Sequence, residues 1–266
     1  MSSEQKAKQE LIQEIGGRAK FSADWGSKQT RSRRLLAEFI GMFGLTFVLS
    51  GGAATLSTWG GGIPPFANVV ILSLISALWL TAAIYFLGDI SAHFNPAMTL
   101  AFALRGDMGW VMAGVYWVVQ FAGAAAGSLV ARAFFGTAGN LAATRPQPDF
   151  AWQAAGFEAI LTCGLVLMVL GIANGPKLNG QFVPLAVGAY ILAFGTMGGL
   201  YEGAAMNPAR AFGPDLALGD LSTWWVYLVG PCVGAIVAVG VARLLRGPAT
   251  SQEAMAAMGN PHSRDS

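Results

Sequence analysis

Residues 93–107 read HFNPAMTLAFALRGD, and residues 205–219 read AMNPARAFGPDLALG. The tripeptide Asn-Pro-Ala occurs in both, at 95–97 and again 112 residues later at 207–209. Each copy opens an apolar run of about ten residues, half of the roughly 20 that a helix needs to cross a bilayer. Asn is a favoured N-cap, and Pro at the first helical position gives up no hydrogen bond. Each run is therefore predicted to be a short helix, over 95–105 and 207–217.

The rest of the chain says what surrounds these two starts. Of 266 residues, 54% are hydrophobic and 11% charged, against about 25% charged in an ordinary soluble protein. Residues 39–88, between Glu38 and Asp89, carry no charge at all, a stretch long enough for two membrane spans in succession. The 35 glycines fit closely approaching transmembrane helices. An all-α, polytopic membrane protein follows, with the lipid bilayer as its first partner and no nucleic-acid partner. Cys163 and Cys232 both lie in apolar runs away from His, so no metal site and no disulfide framework is read, and no cofactor. The polar, charged N-terminus lacks the apolar core of a cleavable signal peptide.

Six spans are predicted at 35–58, 67–87, 109–135, 151–173, 182–200 and 222–245, with a turn at 174–180. The chain divides into a basic tail at 1–33, a membrane-spanning domain at 34–246 and a polar tail at 247–266. Eight of the sixteen Lys and Arg fall at or before Arg34. Placing both tails, Arg105 and Lys177 on one side leaves only Arg132, Arg145 and Arg210 toward the other, so the positive-inside rule puts both termini in the cytoplasm. The membrane expected is the plasma membrane, the inner membrane of a bacterium.

The two halves, about 34–135 and 151–246, repeat one another. Glu38 in the first span has a counterpart in Glu158 in the fourth. Gly123-x-x-x-Gly127 in the third has one in Gly230-x-x-x-Gly234 in the sixth. Three spans per half is odd, so the halves are inverted. One short helix then enters from each face. At 1.5 Å per residue each covers about 15 Å, and together they fill a core of about 30 Å. Irregular backbone beside them is tolerable at that depth only along a cavity, which implies a pore.

These features together resemble the aquaporin, or major intrinsic protein, family over residues 33–246. The resemblance rests on both Asn-Pro-Ala boxes, His93 two residues before Asn95, Arg210 after the second box, the Glu38/Glu158 pair, and Gln120 followed by Gly123-x-x-x-Gly127. It implies six helices plus two half-helices, one pore per subunit, a homotetramer, and passive passage of water or small neutral solutes without enzymatic activity. Asn95 and Asn207 are expected at the pore midplane, capping the half-helices and turning amide N–H groups to the lumen. Two helix N-termini, each worth about half a positive charge, would repel cations and protons there. Glu38, Glu158 and His93 are expected to order the loops. The four glycines are expected at helix contacts.

The family's narrow filter maps onto Ser76, Gly195, Ala204 and Arg210, with Trp79 competing for the span-two position. The resemblance implies a bulky aromatic and a His here in water-selective members, and two aromatics in glycerol channels. Ser, Gly, Ala and Arg instead look like a wider, more polar opening, similar to channels for uncharged metalloid hydroxides. Ala211 replaces the Asp usual in glycerol channels, while Asp215 departs from the small residue usual in water channels. A wide filter for glycerol, urea, or arsenous, boric or silicic acid is the expectation. A water-selective channel is the alternative. A proton-coupled transporter using Glu38 or Glu202 is the rival from another class.

Overall fold

The apolar stretches become helices. The computed structural model describes residues 28–172 and 180–248. The tails before Lys28 and after 248, and the turn with Lys177, lie outside them. In chain order the helices are α1 (Lys28–Trp59), α2 (Pro65–Leu87), α3 (Pro96–Arg105), α4 (Trp110–Phe135), α5 (Ala151–Ile172), α6 (Val183–Gly198), α7 (Pro208–Leu218) and α8 (Trp224–Arg246). Six are long and apolar enough to cross a membrane, α6 together with the 3₁₀ turn Gly180–Phe182 ahead of it. The other two, α3 and α7, have 10 and 11 residues. Both stop at a glycine in the left-handed region, Gly106 at φ 84° and Gly219 at φ 77°, a conformation that costs residues with a Cβ. Among the described residues there is no strand.

Helix α1 begins seven residues before the predicted 35, and the difference has a cause. The sequence places Arg34 just behind the basic tail and ahead of the first span, with no partner in view, yet its side chain is 1% exposed. Its guanidinium is within reach of the Tyr116 hydroxyl on α4, close to Glu38. A paired cation can be taken into the helical bundle, so the helix runs through it without a break.

Inverted repetition is visible in the packing. Helix α1 makes its largest interface with α4, α5 makes the equivalent one with α8, and α2 meets α6 across the two repeats. Where lipid is as apolar as the helices, backbone approach and van der Waals contact carry association. The four paired glycines lie at these approaches. A Cβ on Gly123 or Gly127 would come 2.7 Å from Phe39 O or 2.2 Å from Phe43 O on α1. On Gly230 or Gly234 it would come 2.5 Å from Ala155 O or 2.3 Å from Ala159 O on α5. The half-helices fill the space between the layers, α3 chiefly against α8 and α7 chiefly against α4.

Candidate permeation site

The two half-helices begin at the same place. Asn95 is extended (φ −164°, ψ 119°) and its Oδ1 accepts from Ala97 N at 2.9 Å. Asn207 is likewise extended (φ −157°, ψ 108°), and its Oδ1 accepts from Ala209 N and Arg210 N at 3.1 and 3.2 Å. Each satisfies donors that a helix start leaves without partners. The amide nitrogens cross between repeats: Asn95 Nδ2 donates to Met206 O and Asn207 Nδ2 to Phe94 O, both at 2.7 Å. The carbonyls are aimed by backbone strain one residue before each Asn, with Phe94 at φ 46° and Met206 at φ 52°. Of the two N–H donors expected to face the lumen on each amide, one is therefore committed across the repeat. Asn207 Nδ2 also approaches Met42 Sδ, a weak acceptor, at 3.8 Å.

Both loops are held from behind by a buried carboxylate. Glu38 Oε1 accepts from His93 N, and Oε2 from Phe94 N, each at 2.8 Å; Ser91 Oγ and Gln120 Nε2 donate to the same group. Glu158 accepts from Ala205 N and Met206 N at 2.5 and 2.7 Å. The His93 ring nitrogen Nδ1 is 3.0 Å from Thr99 Oγ1, so the ring is tied to α3. Glu202, with Glu38 one of the two acids named for a proton-coupled transporter, accepts from Ala204 N at 2.8 Å, and its own backbone carbonyl accepts from Tyr227 Oη. Among the described residues no group of three or more His, Cys, Asp or Glu is placed to hold a metal ion.

A cavity of about 670 Å³ runs past both Asn residues, and Ser76, Gly195, Ala204 and Arg210 all line it. Trp79 does not. Its indole N–H donates to Gly41 O at 3.0 Å and its ring lies where a Cβ on Gly44 would be, so it belongs to the α1–α2 contact.

Arg210, half-buried, donates to Ala142 O at 2.9 Å. That carbonyl comes from a left-handed turn in which Gly139, Asn140, Leu141 and Ala142 all have φ between 49° and 61°. Residues with a Cβ resist this conformation by roughly 1–2 kcal/mol each, so the turn must be held. Leu141 is fully buried, and its carbonyl accepts from Ser50 Oγ at 2.9 Å. Arg145 then clips the loop to α7 through the buried Asp215 and reaches Asp220 Oδ2 at 3.3 Å. Asp220 itself is held below the ordinary carboxylate range, first by the Ser222 hydroxyl and backbone N–H and then by Arg145.

The sequence and its fold have known counterparts. The family model "Major intrinsic protein" matches residues 25–241. The chain belongs to the major intrinsic protein family. Within it, the chain is 37% identical over 212 residues to "Probable aquaporin TIP1-2" of Oryza sativa subsp. japonica, covering 78% of this chain and 84% of that one. It is 33% identical over 219 residues to "Nodulin-26" of Glycine max, covering 80% and 78%. In three dimensions it is similar to the aquaglyceroporin from Plasmodium falciparum, with a TM-score of 0.70 at 27% identity over 79% of this chain and 95% of that one. This protein is thus an integral, multi-pass channel of the family that passes water and small solutes, and not an enzyme.

Three parts of the family site in this chain carry no recognisable motif. The left-handed turn at 139–142 sits in a loop of small residues. The Arg145–Asp215 pair joins residues 70 apart. Ser73, a serine among apolar residues, lines the cavity beside Gly195.

Proposed function

We propose that this channel passes small uncharged solutes, such as glycerol, urea, or boric, arsenous or silicic acid, with water following. The observation that carries this reading is the pair Gly195 and Ala204 on the cavity that Arg210 also lines. Neither places more than a methyl group there. In a channel, pore diameter and lining donors decide what passes, and a filter of Ser76, Gly195, Ala204 and Arg210 is wide and polar. That the structural neighbour is an aquaglyceroporin is in keeping with it.

In this reading Asn95 and Asn207 form the midplane constriction, where two half-helix N-termini face one another and turn away cations. Arg210 adds a fixed positive charge at the filter. Glu38 and Glu158 hold the pore loops in place, with His93 ordering the first, and the four glycines seat the helices. The working unit is a homotetramer in the plasma membrane, as the family resemblance implies, and the Lys/Arg distribution supports both termini being cytoplasmic.

Stopped-flow light scattering on proteoliposomes tests the reading. Fluxes of glycerol, urea and boric acid well above those of empty vesicles are expected, linear in concentration and indifferent to a pH gradient. Water flux alone would replace it with a water-selective channel. Saturable flux driven by a pH gradient would replace it with a coupled transporter.

A further inference from the structure

Gly195 does more than leave space, because what stands in that space is a hydroxyl. A Cβ built on Gly195 would lie 2.7 Å from Ser73 Oγ and 3.1 Å from Ser73 Cβ. Residue 195 therefore has no side chain because α2 has put one of its own there. The arrangement recurs deeper in the same α2–α6 seam, where a Cβ on Gly188 would meet Thr81 Oγ1 at 2.2 Å. The two hydroxyls differ in what they do. Thr81 Oγ1 lies 2.9 Å from Ala77 O and 3.2 Å from Pro184 O, so it is occupied as a helix-to-helix tie. Ser73 lines the cavity, and among the described residues its hydroxyl has no protein hydrogen-bond partner.

We infer that Ser73 is a fifth filter residue, whose hydroxyl contacts the permeating solute at the level where Gly195 offers nothing. Its level is fixed through α6, since one turn beyond Gly195 a Cβ on Gly198 would touch Ala204 Cβ at 3.2 Å. The chemistry is complementary to a polyol. Arg210 has only donors. Ser76 Oγ donates to Ser73 O at 3.0 Å, which spends its hydrogen and leaves lone pairs. Ser73 alone keeps a free donor together with acceptor capacity. A solute hydroxyl, which both donates and accepts, can then bridge Arg210 and the serine wall as it sheds water. This assignment rests on the wide-filter reading and says which residue reads the solute there.

Two variants of the full chain in proteoliposomes test it. Ser73→Ala should lower the glycerol-to-water permeability ratio about two- to tenfold, the span that one hydrogen bond is worth. Ser73→Cys, with Cys163 and Cys232 replaced by Ala, should lose flux on treatment with a small methanethiosulfonate, while the same background without the new thiol should not. A thiol that reacts with no effect on flux, or does not react, overturns the placement in the lumen. An unchanged ratio in Ser73→Ala, with wild type passing glycerol, overturns the role of Ser73 alone. Wild type that passes water but no solute overturns the wide-filter reading, and this inference falls with it.

Discussion

The side-chain amide of Asn207, in the second repeat, donates to the carbonyl of Phe94, in the first, at 2.7 Å. The reciprocal bond from Asn95 to Met206 closes a small ring of contacts between the half-helix starts. Each Asn thus does two jobs, capping its own helix and pinning the opposite loop. Asn207→Ala should remove both, costing about 0.5–2 kcal/mol for the cap and about 0.5–1.5 for the crossing bond. Asn95→Ala should behave alike. Because each bond holds a loop that the other Asn needs, the double variant should fall short of the sum. Thermal unfolding in detergent measures the energies, and proton and sodium leak into proteoliposomes measures the loss of exclusion.

The carboxylates behind the loops give a second prediction. Glu158→Gln retains one acceptor for the two N–H groups of Ala205 and Met206 and brings an amide donor beside them. A buried donor left without a partner costs about 1–3 kcal/mol. Lower thermal stability and reduced flux are expected, with whatever flux remains still unresponsive to a pH gradient. A variant that converted gradient-driven flux into simple diffusion would instead reveal a proton-coupling acid.

Packing at the paired glycines gives a third. Gly127→Val and Gly234→Val each force carbon against a backbone carbonyl, at Phe43 O and Ala159 O. Overpacking costs about 1–3 kcal/mol even where side chains can yield, and backbone yields less. Both variants should express poorly or melt early. Gly114→Ala and Gly240→Ala, where a Cβ would meet nothing within 4 Å, should be silent. Size-exclusion profiles and melting curves separate the two pairs.

The fold was open to sequence reading because its signals are local. Long apolar runs give six spans, a doubled Asn-Pro gives two helix starts, and an odd number of spans per repeat gives inversion. Arg34 escaped because hydropathy cannot see that Tyr116 lies beside it. The turn at 139–142 escaped for a related reason: Gly139 and Asn140 favour left-handed backbone, but Leu141 and Ala142 do not, and burial of Leu141 with a bond from Ser50 to its carbonyl holds them there. The pairing of Ser73 with Gly195 depends on helix crossing geometry that periodicity on either helix alone does not contain.

That turn sets up a fourth prediction. Asp215 is fully buried and Arg145 is 31% exposed. Removing one partner of a buried pair leaves the other charge uncompensated, at about 3–5 kcal/mol. For Arg145→Ala the lower end applies, because the Arg is partly solvated and Arg210 is also near Asp215. The loop that presents Ala142 O to Arg210 should loosen, so water and solute flux should fall although neither residue of the pair is assigned to the filter. Replacing both, as Arg145→Met with Asp215→Leu, should recover much of the stability, since no charge is then stranded. Hydrogen exchange over 136–150 reports the loosening directly.

The last prediction concerns the two residues that compete for one place in the filter. Ser76 lines the cavity with a small side chain, and Trp79 turns its indole to Gly41 O in the contact between α1 and α2. Ser76→Phe adds a ring where the lumen is, so glycerol, urea and boric acid flux should fall far more than water flux. Trp79→Phe removes a hydrogen bond from a helix contact, which is worth about 1 kcal/mol. It should lower the melting temperature while leaving the ratio of solute to water permeability unchanged. If Trp79→Phe shifts that ratio and Ser76→Phe does not, the filter position on α2 belongs to the Trp and the lumen is shaped otherwise at this level. The ratio, measured on both variants in the same vesicle preparation, is independent of how much protein each contains.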